Sequence, residues 1–286
     1  MAEETSFRCR ELLRVRWSEI DAQNIVFNAH YLTYFDTGIA AYWRALALPY
    51  GETVRALGGD LFLRKASLEY HASARYDDRI EVGVRCERIG TSSLVFRAQV
   101  SRGRERLVSG ELVYVWADPT GRGSRPVPAP LREAFLGFEA GQPMVDVRTG
   151  SWQSLGAPAR ALREAVFIAE QGVPIDMEWD TADEAALHAV AFNRMGLAVA
   201  TGRLVDLGDG SMRIGRMAVQ QGLRGSGVGR AVLDALVDAA RQRSARRVVL
   251  NAQVEAIGFY ARAGFVAQGA PVDEAGIPHQ AMQRDL

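Results

Sequence analysis

Two stretches of this sequence set chemically useful groups beside backbone that can serve them. The first is Gln220-Gln221-Gly222-Leu223-Arg224-Gly225-Ser226-Gly227-Val228-Gly229-Arg230, directly after the segment Arg213-Ile214-Gly215-Arg216-Met217-Ala218-Val219. A strand, a glycine-rich turn and a helix start make a pyrophosphate cradle. Glycines let the backbone approach the ligand, and the helix N-terminus presents unpaired N–H groups at the positive end of its dipole. The pattern is Arg-x-x-Gly-x-Gly, carried by Arg224, Gly227 and Gly229. It lacks the Gly-Lys-Ser/Thr ending of a nucleotide P-loop. It also lacks the acidic ribose ligand that follows a dinucleotide fingerprint by about 20 residues. The second stretch centres on Asp21, which closes a polar turn just ahead of an apolar helical pattern. Alone, such a carboxylate is a turn or capping group. In front of a buried helix it lies near free N–H groups as well.

Those groups need elements to position them. Upstream, residues 12–17 have the pattern of a strand and residues 18–24 that of a turn. From Ala29 to about Leu46, Tyr31, Leu32, Phe35, Ile39, Tyr42, Trp43 and Leu46 recur at helical spacing, so a long, heavily buried helix is predicted there. The period then changes to two. Residues 61–70, 79–89, 93–100 and 106–117 are predicted strands, and the short turns between them suit an antiparallel sheet. A Pro/Gly-rich stretch, residues 118–130, can continue neither strand nor helix. After a short helix at residues 131–138, the chain restarts near residue 142, which sets the expected domains at 1–141 and 142–286. Downstream, residues 159–171 are a predicted helix that residues 181–190 extend or follow. Residues 197–205, 212–219 and 247–252 are predicted strands, residues 227–243 and 257–263 helices, and residues 265–268 and 280–285 closing strands. The expected class is α+β: a long helix wrapped by an antiparallel sheet, then a mixed α/β domain.

Composition narrows the function classes. The chain has 286 residues, 48% of them hydrophobic and 24% charged, which is ordinary for a folded protein of about two domains. Lys+Arg and Asp+Glu balance at 34 each, and residues 1–140 hold 19 against 18. Neither half has the net basic footprint of a nucleic-acid binder, so a small anionic ligand must be held locally. No apolar run approaches the ~20 residues of a membrane span. Met1-Ala2-Glu3-Glu4-Thr5 does not resemble a signal peptide. The two cysteines, Cys9 and Cys86, cannot form a disulfide framework or a cysteine-rich zinc site, and His30 and His71 lack local metal-ligand spacing. The expectation is a cytoplasmic protein with no metal or redox cofactor.

The segment from Val15 to Phe35, with Asp21, Asn28, Tyr31 and Phe35, resembles the hotdog-fold acyl-CoA thioesterases of the 4-hydroxybenzoyl-CoA thioesterase type. Ala66 to Val82 is a second match, and the resemblance covers about residues 10–138. It implies that the Asp21 carboxylate attacks a thioester or activates water, and that amides near Phe27–Tyr31 stabilise the oxyanion. It implies that Asn28 orients water or the thioester carbonyl, with a helix cap as its alternative role. It also implies a dimer or tetramer with active sites at the subunit interface, where a neighbour's Arg64 or Lys65 meets CoA phosphates. The family's glycine three residues after the aspartate is Asn24 here, a residue that tolerates positive φ.

Residues 145–286 resemble the GNAT N-acyltransferases. The carriers are Arg224-x-x-Gly227-x-Gly229 and the run Asn251 to Phe259-Tyr260 to Gly264-Phe265. Glu170-Gln171, Asp180, Asp183, His188 and Gly276-Ile277-Pro278-His279 are similar to the ElaA-like branch. The resemblance implies that the backbone of Leu223, Arg224, Gly225, Ser226, Gly227, Val228 and Gly229 holds pyrophosphate. It implies that Met217–Val219 align the pantetheine arm, that Asn251 contacts the cofactor and that Tyr260 protonates the leaving thiolate. Glu170 is the expected base for the amine, with Asp180 and Asp183 as rivals, while His188 on an apolar stretch has the pattern of a structural histidine. The combined expectation is a bifunctional CoA-thioester enzyme, using acyl-CoA and a small or peptide amine as substrates. The alternatives are that one domain alone is catalytic, or that one is a non-catalytic acyl-CoA-binding module regulating the other.

Overall fold

The structure is a computed structural model that describes residues 6–120, 123–274 and 276–286. The acidic start at residues 1–5 and residues 121 and 122 of the Pro/Gly-rich stretch lie outside the described residues. The chain divides into two compact units, Met1–Met144 and Val145–Leu286.

The first unit runs β1 (Cys9–Arg14), α1 (His30–Ala45), α2 (Tyr50–Leu57), β2 (Asp60–Tyr70), β3 (Arg79–Ile89), β4 (Ser93–Arg102), β5 (Glu105–Ala117) and α3 (Ala129–Glu139). Its five strands form one antiparallel sheet in the order β1-β3-β4-β5-β2. The period-two patterns of β4 and β5 turn one face inward: Leu94, Phe96, Ala98 and Val100, then Val108, Leu112, Tyr114 and Trp116, are buried. Helix α1 packs on that layer with Tyr31, Tyr34, Phe35, Tyr42 and Trp43 buried. Tyr42 reaches α3, where its hydroxyl donates to Glu139 Oε1 at 2.6 Å, and the same oxygen accepts the Cys86 amide at 2.8 Å. Helix, sheet and covering helix therefore share one half-buried acceptor.

The second unit begins with β6 (Val145–Gly150) and α4 (Trp152–Arg163), which continues as a π-helical segment, Glu164–Glu170. Two four-residue helices follow, α5 (Ile175–Glu178) and α6 (Ala182–Ala185), then β7 (Leu187–Asn193), β8 (Ala198–Asp206) and β9 (Ser211–Val219). The chain closes with α7 (Val228–Gln242), β10 (Arg247–Gln253), α8 (Ile257–Ala261), β11 (Val266–Ala267), β12 (Val272–Glu274) and β13 (Ile277–Asp285). The sheet order is β11-β13-β10-β9-β8-β7-β6, with β12 added to β13. Most residues of β7 and β8 are buried in unbroken runs, which requires cover on both faces. Helices α4 and α7 pack on both strands.

Three local expectations are corrected. Residues 181–190 are not a helix: α6 stops at Ala185 and β7 begins at Leu187. An apolar run buried on both faces carries no period that separates strand from helix. The first strand ends at Arg14, and Trp17–Glu19 form a 3₁₀ turn closed by the Glu19 side chain on the Arg16 amide at 2.7 Å. The helix expected over residues 159–171 begins earlier, as α4 at Trp152, and from Glu164 runs on as the π-helical segment.

The approach of α1 to β3 depends on Gly38. A Cβ there would stand 2.7 Å from Val84 Cγ2 and 2.8 Å from Val82 Cγ1, both on stiff β-branched side chains. An exposed helical Gly→Ala change stabilises by about 0.5–1 kcal/mol. Overpacking costs about 1–3 kcal/mol, so the clash wins. Gly38→Ala is expected to destabilise the first unit by about 1–2 kcal/mol, read as a lower urea midpoint at unchanged slope.

Candidate functional site

In the second unit, β9 and β10 pair in parallel only from Arg247↔Ser211 to Val249↔Arg213. Beyond that point β10 continues against β13 as far as Gln253↔His279, while β9 runs on against β8. The two strands part, and the backbone edge of β9 from Ile214 onward faces the opening. The β8–β9 register jumps from Thr201↔Ala218 to Arg203↔Gly215, so Arg216 and Met217 stand opposite Gly202 alone. This is a bulge, and Arg216 sits at φ 52° within it. Gly202 is required there, because a Cβ would meet Met217 Sδ at 2.5 Å.

A cavity of about 640 Å³ occupies the opening. Met217, Asn251, Gln253, Tyr260, His279 and Arg216 are among its walls. Tyr260 is 8% exposed, and its ring packs on Phe259 and Phe265. Its hydroxyl has no hydrogen-bond partner among the described residues. Burial pushes the phenol up to about 12, so it stays a proton donor far above neutral pH.

At the end of β9 the chain turns through a 3₁₀ segment, Gln221–Leu223, and enters α7. Gly225 and Gly227 adopt φ 82° and 91°, a backbone shape that side chains disfavour. The first helical bond joins the Ala231 amide to the Gly227 carbonyl, so the preceding amides of Gly227, Val228, Gly229 and Arg230 have no intrahelical acceptor. Leu223, Arg224 and Ser226 amides are spent on the turn itself, bonding to Gln220, Gln221 and Leu223 carbonyls. The amides left without a protein acceptor among the described residues are those of Gly225 and the four at the helix start.

Glu170 is not brought to the cavity. Its two oxygens receive Arg224 Nη1 at 2.6 Å and Nη2 at 2.8 Å, beside the glycine-rich loop. In this arrangement its lone pairs are turned onto a guanidinium rather than toward the cavity. The pair is exposed, and such pairs contribute only about 0–1 kcal/mol, so an arriving phosphate competes easily for Arg224.

One buried wall of this unit has no counterpart in the sequence reading. Arg163, 1% exposed, donates from Nε to Glu178 Oε1 at 2.5 Å and from Nη1 to Asp183 Oδ1 at 2.8 Å. Arg203 donates to Asp180 at 2.6 and 2.9 Å and to Asp183 at 2.8 Å. Arg216 adds ion pairs to Glu178 at 3.2 Å and Asp180 at 3.3 Å. The Trp179 ring lies 4.4 Å from the Arg160 guanidinium and 4.5 Å from that of Arg163. Hydrogen bonds from Arg203 hold Asp180 below the usual carboxylate range. Burial would raise Asp183, but hydrogen bonds from Arg163 and Arg203 outweigh it and hold it low too. Neither aspartate is placed to accept a proton near neutrality. His188 is buried with Nε2 on the Asp183 carbonyl at 2.9 Å, and desolvation lowers its pKa, as suits a structural histidine. No sequence spacing joins Arg163, Glu178, Arg203 and Arg216; the only signal is the excess of arginine in otherwise apolar strands.

In the first unit, Asp21 closes a small loop. Its amide bonds to the Ile25 carbonyl at 3.0 Å, its Oδ1 accepts the Gln23 amide at 2.8 Å, and Asn24 takes φ 58°. Glu19 ties this loop to α1: its carboxylate accepts the Tyr34 hydroxyl at 2.7 Å, and its carbonyl accepts the Phe27 amide at 2.9 Å. The amides of Phe27, His30 and Tyr31 are used within the turn, and among the described residues those of Asn28 and Ala29 meet no protein acceptor. The Asn28 side chain does not cap α1. Arg64 stands at a bulge of edge strand β2 with its side chain exposed, and Lys65 pairs with Glu111 at 3.1 Å. Among the described residues no group of three or more His, Cys, Asp or Glu is arranged to hold a metal, and no helix is long and apolar enough to cross a membrane.

Comparison with known proteins follows the same division. The thioesterase superfamily model matches residues 23–109, and the acetyltransferase (GNAT) domain model matches residues 164–286. The uncharacterized N-acetyltransferase YjcF of Bacillus subtilis (strain 168) is 35% identical over 125 residues, 43% of this chain and 88% of YjcF. An acyl-CoA N-acyltransferase from Pseudomonas aeruginosa aligns at 31% identity over 49% of this chain and 99% of its own, with a TM-score of 0.44. A thioesterase from Thermus thermophilus, solved with coenzyme A and Zn, aligns at 26% identity over 48% of this chain and 98% of its own, with a TM-score of 0.42.

The buried ion cluster makes the second unit acid-sensitive. Asp180 and Asp183 bind protons less readily folded than unfolded. Their contribution is complete above the unfolded value near ~4 and is lost as pH falls through the lower folded values. The calorimetric transition of this unit is therefore expected to move down between about pH 5 and pH 2. Arg163→Met, which leaves Glu178 and Asp183 short of their cation, is expected to cost about 3–5 kcal/mol at pH 7.

Proposed function

The chain belongs to the acetyltransferase (GNAT) family through its second unit and to the thioesterase superfamily through its first, and from that premise we propose a bifunctional enzyme of CoA thioesters. The second unit transfers an acetyl or related acyl group from CoA to an amine. The first hydrolyses an acyl-CoA. The observation that carries the transfer reading is the Tyr260 hydroxyl, unpartnered among the described residues in a cavity whose floor strand leads to the amides of α7.

The chemistry follows the groups along β9. The CoA pyrophosphate sits on the amides of Gly225 and of Gly227 to Arg230, with Arg224 released from Glu170 to assist. The pantetheine arm lies along the open edge of β9 at Met217–Val219, where its amides replace a missing strand, and Asn251 reaches it from β10. The acyl carbon rests near the bulge. Amine attack forms the C–N bond, the C–S bond breaks, and Tyr260 gives its proton to the departing thiolate. Neutral thiol leaves more easily than thiolate in so buried a site.

In the first unit, Asp21 Oδ1 is fixed by the Gln23 amide while Oδ2 accepts from no group among the described residues. That oxygen attacks the thioester or takes a proton from water, and the Asn28 and Ala29 amides receive the oxyanion at the positive end of α1. Edge strand β2 pairs on one side only and exposes Phe62 and Leu63. This supports self-association of the first unit into a dimer or tetramer. A neighbour's Arg64 and Lys65 then meet CoA phosphate. The setting we propose is the cytoplasm, where acyl-CoA and amines coexist.

Thiol release from an acyl-CoA panel, with and without amines, separates the two activities. Asp21→Asn is expected to lower amine-independent release by about 10²-fold or more and to spare transfer. Tyr260→Phe is expected to do the reverse. Because the phenol titrates at about 12, transfer should show no alkaline decline below pH 10. Unaltered protein that binds acyl-CoA yet releases no thiol in either assay would leave an acyl-CoA-sensing module instead.

A further inference from the structure

Acyl transfer to an amine needs a group that removes a proton from the incoming ammonium, because only the free lone pair attacks. The charged and titratable groups sharing the cavity wall are Glu178, Asp180, Arg203, Arg216, Tyr260 and His279, with Arg213 beside them. The arginines carry no lone pair to offer. Tyr260 is the acid of the reaction. Glu178 is held by Arg163 and Arg216, and Asp180 by Arg203 and Arg216.

His279 differs from all of these. It lies on β13, flanked by Gln253 of β10 on one side and Val272 of β12 on the other, so its backbone is fixed from both edges. Pro278 locks the backbone just before it. Its Nδ1 lies 2.8 Å from the Ile277 carbonyl oxygen. A carbonyl oxygen only accepts, so Nδ1 carries the hydrogen, and in the neutral ring the lone pair is on Nε2. Nε2 has no protein partner among the described residues. The Ile277 carbonyl acts as the orienting group that fixes the tautomer, the part a carboxylate plays in a hydrolase triad.

We propose that His279, oriented by the Ile277 carbonyl, is the general base that deprotonates the acceptor amine. This rests on the transfer reading of the second unit. The proton balance is complete. One ammonium proton passes to Nε2. After the C–N bond forms, the second leaves nitrogen for the Tyr260 oxygen, which has given its own proton to sulfur as the C–S bond breaks. The products are the amide, neutral CoA thiol and an imidazolium that discharges to solvent. The acceptor class is then a primary amine presented as an ammonium, since an amine already neutral in solution needs no such base.

Two measurements test this. Histidine ¹⁵N NMR on the full chain, which has four histidines, reads the tautomer directly. The hydrogen is expected on Nδ1 of His279; an Nε2-protonated neutral ring overturns the proposal whatever the enzyme does. Acetyl transfer is then followed against pH with spermidine, glucosamine and lysine as acceptors, together with acetyl-CoA binding. His279→Gln is expected to bind acetyl-CoA normally and to lose about 10²-fold or more in kcat/KM at pH 7. The loss should shrink towards pH 10, where the amine is increasingly neutral and Tyr260 is still protonated. A variant that keeps the parent rate, or a deficit equal at every pH, overturns the role as base. Unaltered protein that acetylates none of the amines defeats the transfer reading itself, and the base with it.

Discussion

The second unit depends on a charge network that is buried at Arg163, Glu178 and Asp183 and opens toward solvent at Asp180. Arg163, Arg203 and Arg216 face Glu178, Asp180 and Asp183, and the members bridge one another rather than pairing one to one. Taking an ion from water costs several kcal/mol even after relaxation, and only full pairing offsets it. The arrangement therefore has no stable half-formed version. Its consequence is positional. Segment 175–185 contains only two four-residue helices, far below the length at which a helix holds itself. Arginines projecting from α4, β8 and β9 fasten that segment in place, and in doing so they build one wall of the cavity.

The same tethering decides what the cavity is able to do. Carboxylates committed to guanidiniums are poor proton acceptors, so a wall that looks acidic in composition is chemically quiet. Reactivity passes to the groups left outside the network: a desolvated phenol and an imidazole whose Nδ1 is engaged by a backbone carbonyl. The parting of β9 and β10 supplies the remaining element. A continuous sheet would have satisfied the β9 edge with β10, leaving no amides for a ligand. The β9 bulge turns that edge, and the Met217 side chain lies over Gly202 of β8.

Much of this fold is legible in the sequence, for an identifiable reason. The alternation in β3, β4 and β5 and the helical recurrence of Tyr31, Phe35, Tyr42 and Trp43 are one-sided burial patterns, which a one-dimensional string records faithfully. The glycine-rich turn before α7 is legible because its geometry demands particular residues. What escapes lacks any local period. Strand β7 is buried on both faces and reads equally well as helix; β6 is a short edge strand whose alternation runs only from Val145 to Arg148. The ion cluster pairs residues 15 to 38 positions apart in the chain, so nothing short-range betrays it. Sequence neighbourhood assigns the amine to Glu170, yet its carboxylate points to Arg224. His279 stands in a recognisable motif, but its chemical task depends on a carbonyl two residues back and a cavity formed by distant strands, neither of which the string displays.

On the proposed reading the two units take one kind of ligand to different chemistries, and the difference reduces to what faces the thioester carbon. Both sites place a helix N-terminus where charge must be met, which explains how a chain with no net charge accommodates a polyanionic cofactor. In the first unit the facing group is an aspartate on a short loop, held at one oxygen by a backbone amide and clamped to α1 through Glu19. A carboxylate there favours oxygen chemistry, because it either attacks or orients water, and water is always present at a loop. In the second, the facing groups are a buried phenol and the half-buried His279, and the neighbouring carboxylates Glu178 and Asp180 are tied to arginines, a setting that suits attack by an amine. Water is the poorer nucleophile of the two. Hydrolysis and transfer thus follow from exposure and charge at the reacting carbon, with the anion-holding device left the same.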